Sequence, residues 1–222
     1  MSLNRYIAIS IDPSTEVGAL CVASTLRKAG WRTELFLTAG YEADRFERTI
    51  LKDPSIHAVI DFSFHDLLST RLLVSPPGSP ERLTSAPLLG LPLVIVPGSL
   101  DHVRVHEVRD ELLPRKSMKQ DETIMLYRTS LQDNDTMGKE LAFKASASKG
   151  PVTIVFPRGG LSQWDREGEL LHDHDANLAL LDSLHLWKAP DVTLIESHRH
   201  INDPLFAQIV VEHLLKLLVV RK

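Results

Sequence analysis

Asp101, His198, His200 and Asp203 are the residues of this sequence best suited to move protons. An imidazole beside a carboxylate can give and take a proton near neutral pH, which makes these four the catalytic candidates. A second set could hold an anion. Glycine lets a backbone N–H come close to a phosphate, and a helix N-terminus adds partial positive charge. Thr38-Ala39-Gly40 and Arg158-Gly159-Gly160 have this character, and Arg128 could clamp a charged ligand. With the turn residues Gly98, Ser99, Thr129 and Ser162, the candidate ligand-binding group is Gly40, Gly98, Ser99, Arg128, Thr129, Arg158, Gly159, Gly160 and Ser162. Neither G-x-G-x-x-G nor G-x-x-x-x-G-K-[ST] occurs, so the phosphate reading rests on the set; a single such glycine more often only turns the chain.

Two other chemistries compete. His172, His174, His198 and His200 lie among Asp173, Asp175 and Asp203, and H-x-H can bring two imidazoles to one ion. The same aspartates make good helix caps, so no metal site is assigned, and Mg²⁺ accompanying a nucleotide is favoured over zinc. Gly160-Leu161-Ser162-Gln163-Trp164 resembles a nucleophile elbow but lacks the last glycine of G-x-S-x-G.

Strands alternating with helices must position these residues. Apolar runs predict strands at 6–11, 31–38, 58–64, 91–96, 123–127, 152–156 and 192–196. Helical spacing predicts helices from Asp12-Pro13-Ser14-Thr15 to Gly30, then at 41–51, 135–147, 176–186 and 204–220. Ser75-Pro76-Pro77-Gly78-Ser79-Pro80 is a loop, and residues 103–120 are a crossover or a small excursion. The fold class is therefore α/β: a three-layer, doubly wound, mostly parallel sheet with helices on both faces. Ligands of such sheets bind beyond the carboxyl ends of the strands, where the candidate residues converge. In the last helix the polar positions Gln208, Glu212 and Lys216 fall at four-residue spacing and almost everything else is apolar, so it lies deep in the domain or is covered by a second subunit, with dimerisation slightly favoured.

Composition bounds the function. The chain has 222 residues, 43% hydrophobic and 24% charged, as in an ordinary globular protein. The net charge of −4 leaves no basic footprint for nucleic acid. The lone Cys21 fits a reducing, cytoplasmic setting and reads as a small core residue. No apolar run reaches membrane-spanning length. Met1-Ser2-Leu3 reads as a cloning remnant, with a single domain over residues 4–222.

Several strings together resemble one family. They are Pro97-Gly98-Ser99-Leu100-Asp101, Arg128-Thr129, Pro157-Arg158-Gly159-Gly160-Leu161-Ser162, then Asp165, Gly168, His172-Asp173 and Asp175-Ala176-Asn177. His200-Ile201-Asn202-Asp203-Pro204-Leu205-Phe206-Ala207 is the most specific. The chain resembles the second domain of uncharacterised protein family 0261, the Tm-1-like ATP-binding domain family, across about residues 5–220. The resemblance implies ATP with Mg²⁺ as ligand, and a homodimer or a partner carrying the missing first domain. The local departures are Gly40-Tyr41-Glu42-Ala43 and His102-Val103-Arg104. A binding module for a nucleotide or phosphorylated metabolite is the first expectation. A small-molecule hydrolase or isomerase and an interaction scaffold are the alternatives.

Overall fold

Strands that are apolar on both sides need cover on both faces. The computed structural model describes residues 5–39, 42–74, 79, 81–106 and 110–220. Its strands are β1 (Tyr6–Ile11), β2 (Arg32–Leu37), β3 (Ile56–Asp61), β4 (Leu93–Ile95), β5 (His102–Val105), β6 (Ser117–Lys119), β7 (Met125–Arg128), β8 (Val152–Pro157) and β9 (Thr193–Ser197). Its α-helices are α1 (Glu16–Lys28), α2 (Glu42–Lys52), α3 (His65–Arg71), α4 (Ser85–Leu89), α5 (Leu131–Ser146), α6 (His174–Trp187) and α7 (Pro204–Val220). Six strands form one parallel sheet in the order β2-β1-β3-β4-β8-β9.

Alternation along each strand separates two cores. Ile7, Ile9, Ala58, Ile60, Val94 and Val155 face α1 and α7. Tyr6, Ala8, Val59, Leu93, Ile95, Ile154 and Phe156 face the layer of α2 to α6. α7 buries Phe206, Ala207, Val210, Val211 and Leu214 in the first of these cores, so its apolar face finds most of its cover inside its own domain. Cys21 is half-buried against the same core. Among the described residues no helix is long and apolar enough to cross a membrane.

Local chemistry sets the helix starts. Asp12 accepts the Ser14 N–H at 2.9 Å and opens a 3-10 turn that runs into α1. Ser130 and Asp133 form a capping box at α5, which starts that helix before the expected residue 135. Asp173 caps α6, and Asp203 Oδ1 accepts the Leu205 N–H at α7. Gly30, at φ 86°, closes the first helical segment.

Two expectations are corrected. The strand expected at 123–127 is β7, and it leaves the main sheet for a small antiparallel sheet in the order β5-β7-β6. Short alternating strands look alike in either sheet; only the partner decides. The strand expected at 58–64 stops at Asp61, because Phe62 and Ser63 spend their N–H groups on Ser10 Oγ and Phe64 spends its own on the Gly98 carbonyl. Gly40, Met1, Ser2, Leu3, Tyr41 and most of the proline-rich segment, namely Ser75 to Gly78 and Pro80, lie outside the described residues. The small sheet leaves from the end of β4 and returns at the start of α5, so it caps the carboxyl rim.

Candidate functional site

The strand order reverses direction between β1 and β3, and a doubly wound sheet opens its crevice there. Asp12 and Ser14 follow β1; Ser63 and His65 follow β3; Ser99 follows β4. Their hydroxyls interlock: Ser14 Oγ bonds Asp12 at 2.7 Å and Ser99 Oγ at 2.7 Å, and Ser63 Oγ donates to Ser99 at 3.1 Å. Ser99 holds φ 58°, an uncommon conformation for a residue with a side chain. Arg104, on the capping strand β5, forks onto both Asp12 oxygens at 2.8 and 2.6 Å. Burial opposes the charge on Asp12, but the two bonds from Arg104 and its positive charge outweigh it and hold this carboxyl far below the usual range. His65 Nε2 accepts the Arg104 N–H at 3.3 Å. Burial, then the Arg104 charge, depress its pKa, so this ring is neutral.

A second layer lies beside the first. Asp101 Oδ2 takes the Ser162 hydroxyl at 2.7 Å and sits 3.0 Å from His102 Nδ1. Burial raises the Asp101 pKa, but the hydrogen bonds from His102 and Ser162 and the positive charge of Arg128 outweigh it and hold the carboxyl below its usual range. The His65 and His102 rings lie with centroids 5.4 Å apart. Arg128 spends its terminal nitrogens on the Asp101 and Asp173 carbonyls, Thr129 Oγ1 and Asn177 Oδ1. Thr129 in turn donates to the Leu100 carbonyl.

Asp165 gathers a third layer: it accepts the Leu161 N–H and the Asn177 amide, and bonds His172 Nδ1 at 2.8 Å. That hydrogen bond raises the His172 pKa against the cost of burial. His200 Nδ1 accepts the Asn202 N–H, and its Nε2 reaches the Ser162 carbonyl at 2.9 Å, so both ring nitrogens are committed and the proton sits on Nε2. Asn202 bridges to the Gly18 N–H and the Ser14 carbonyl.

The described candidates lie at or just after the carboxyl ends of β4, β7, β8 and β9. Asp101 is buried in the second layer. His198 is exposed, and Asp203 caps α7 and pairs with Arg199. His200 ties two loops together. Arg158 is on the surface, paired with Glu196 at 2.9 Å. Ser162 serves Asp101 rather than standing beside a base. A side chain on Gly159 would meet the His200 nitrogen at 2.6 Å, and one on Gly160 or Gly98 would strike Asp165 or Phe62 backbone; these glycines make room for protein. Among the described residues no three His, Cys, Asp or Glu side chains converge as a metal site requires. Clefts of about 580 Å³ beside Arg45, Lys52 and Pro54, and about 370 Å³ beside Leu88 and Lys149, lie at the opposite, amino edge of the sheet.

Asp12, Ser14, Ser63, His65, His102 and Arg104 are rim residues that the sequence reading did not single out as site candidates. For Asp12, Ser14, Ser63 and His65 the position just after a strand was the available signal; His102 and Arg104 lie within β5. Strand order, which picks out the β1–β3 crevice, was not available.

Comparison with known proteins decides the family. The profile of the C-terminal domain of uncharacterised protein family UPF0261 matches residues 4–218. This chain belongs to UPF0261. A UPF0261 protein of Brucella melitensis is 26% identical over 87% of this chain and 48% of its own length. One from Clostridium tetani is 26% identical over 91% of the chain and 53% of its own length. The ToMV resistance protein Tm-1 of Solanum lycopersicum is 24% identical over 88% of the chain and 26% of its own length. The chain spans about half the length of the bacterial UPF0261 proteins it matches. In this UPF0261 domain the two most telling strings, 157–162 and 200–207, pack against each other through Gly159, Gly160 and His200.

Proposed function

We propose that this UPF0261 domain binds a small anionic molecule at its carboxyl rim, beneath the cap of β5, β6 and β7. The observation that carries the reading is a concentration of buried polar atoms without partners. Asp101 Oδ1, His102 Nε2, Arg128 Nε, Asn134 Oδ1 and Trp164 Nε1 are all of this kind. They belong to residues joined through Asp101, Thr129 and Ser162. Each such atom costs roughly 1–3 kcal/mol unless something satisfies it, and a ligand's own donors and acceptors would do so. Recognition falls to arginine rather than to helix ends, because Asp12, Asp133, Asp173 and Asp203 already occupy the N-termini that face this rim. Arg104 is the cation suited to exchange partners: its side chain is 15% exposed, whereas that of Asp12 is 1% exposed.

ATP with Mg²⁺ is the specific ligand that the resemblance suggests. The additional length of the bacterial relatives would supply a further wall of the site, in the same chain or as a partner. Val17, Leu20 and Leu205 remain exposed on α1 and α7, where that partner or a second copy would sit. Sedimentation at low concentration is expected to give a dimer; a species of only 24.9 kDa rejects the second copy. The ligand test is a thermal-shift titration with ATP–Mg²⁺, ADP and inorganic phosphate. Ligand at about 100 times its Kd adds roughly 2.7 kcal/mol of stability. The rise should vanish in a D12N/R104M double variant, which removes both charges together and avoids an unpaired buried ion. No rise with any of the three rejects the proposal.

A further inference from the structure

We infer that Asp101 and His102 form a proton-transfer dyad that acts on a hydroxyl-bearing small anion at the rim, which would make this domain an isomerase-type enzyme; the inference rests on the binding reading above. Asp101 and His102 are both fully buried. An ionised carboxylate only accepts hydrogen bonds, so in the neutral ring the proton shared at 3.0 Å belongs to His102 Nδ1. Nε2 is then a bare lone pair on the side of the ring away from Asp101, and it has no partner. The carboxylate is itself held: Ser162 donates to the same oxygen, while Arg128 and the Thr129 N–H hold the Asp101 carbonyl. A carboxylate that fixes the tautomer and supports an imidazolium is the standard way to make histidine a base.

Of the neighbouring histidines, His65 and His200 are spent, and His172, paired through Nδ1 as His102 is, lies nearer the surface with its side chain 20% exposed. His65 Nε2 takes the Arg104 N–H. His200 uses both nitrogens, and His172 Nδ1 is on Asp165. A purely structural residue at position 102 would gain nothing from an unpaired buried nitrogen, since an apolar side chain avoids that cost. The step balances within one ligand. For a bound enol, the hydroxyl passes its proton to Nε2 and the O–H pair becomes the C=O bond; Asp101 holds the imidazolium; the C=C pair then takes the proton back from Nε2 at carbon. No co-reactant is consumed.

The test is ¹⁵N-histidine NMR on the whole chain, with inorganic phosphate and glycerol 3-phosphate as probes and thermal shift as the independent measure of binding. Neutral His102 is expected as the Nδ1–H tautomer, with its Nε2 resonance moving when glycerol 3-phosphate binds. D101N should invert the tautomer and abolish that movement, because an amide can donate to Nδ1. An Nε2–H tautomer in the unliganded protein overturns the dyad. So does bound glycerol 3-phosphate that leaves Nε2 unmoved, with the binding reading intact. If neither probe binds while ATP–Mg²⁺ or ADP does, the dyad falls and the binding reading stands; if none of these ligands binds, both fall, whatever the tautomer.

Discussion

Arg82 has no solvent exposure, yet it faces three carboxylates. It bonds both Asp61 oxygens at 2.8 and 2.7 Å, Glu47 at 3.2 Å and the Ser63 carbonyl at 2.8 Å. Its Nε lies 2.7 Å from Asp66 Oδ2 without a directed hydrogen bond, so that contact is an ion pair only. Phe46 and Phe64 pack against the guanidinium. R82M should cost about 3–5 kcal/mol in chemical denaturation, because the remaining buried carboxylates lose their cation. Burial raises Asp66 from its ordinary 3.8 to about 7, against the opposing charge of Arg82. The folded chain therefore binds this proton more tightly than the unfolded chain. The contribution of Asp66 to stability is complete below pH 3.8 and is lost as pH rises towards and through about 7. Denaturation measured from pH 4 to 8 should show that decline in the wild type, and D66N should flatten it. Asp12 and Asp101 act in the opposite sense: their pKa values are depressed, so their stabilisation is present above the usual carboxylate range and lost on acidification.

Helices α5 and α6 lie side by side, and Gly138 is the reason they can. A methyl group there would come within 2.6 Å of the Leu180 carbonyl and 2.7 Å of Ser183 Cβ. Helix propensity alone favours alanine over glycine by about 1 kcal/mol. Packing overrides it here, so G138A should lose about 1–3 kcal/mol as the helices are forced apart. Thermal denaturation reads the sign directly: a gain in stability would mean that the helix contact yields cheaply. The same pair bears on the rim, because Thr129, Asp173 and Asn177, at or just before its N-termini, carry partners of Arg128. Spreading the pair should therefore also weaken any anion-induced thermal shift.

At the scale of the whole molecule, two cores lie back to back on one sheet, and the polar rim lies between them at the carboxyl edge. Little at that rim is left to solvent: the cap strands close over it, and ion pairs Arg104–Asp12, Arg115–Asp133 and Lys116–Asp173 tie cap to body. Ligand entry would require these ties to loosen, so the thermal-shift titration proposed above should respond to salt more than core stability does, because partly exposed pairs are screened. The open clefts at the opposite edge have none of the interlocked side chains found at the rim.

Local patterns were enough to place β1, α1, β8 and α7, because apolar period, caps and glycine stops act over a few residues. The α/β class, and the gathering of candidate loops at one edge, follow from their alternation. Short elements escaped: α3 and α4 have seven and five residues, too few for a helical period to show. What only the tertiary structure decided is how each polar group is spent. Arg128 and His200 looked free in the sequence, but the fold saturates the Arg128 terminal nitrogens and both His200 ring nitrogens; Asp12 looked like a cap and also carries Arg104 from 92 positions away. The physical reason is that a hydrogen bond between distant segments depends on strand order and on which segment caps the rim, and no local period encodes either.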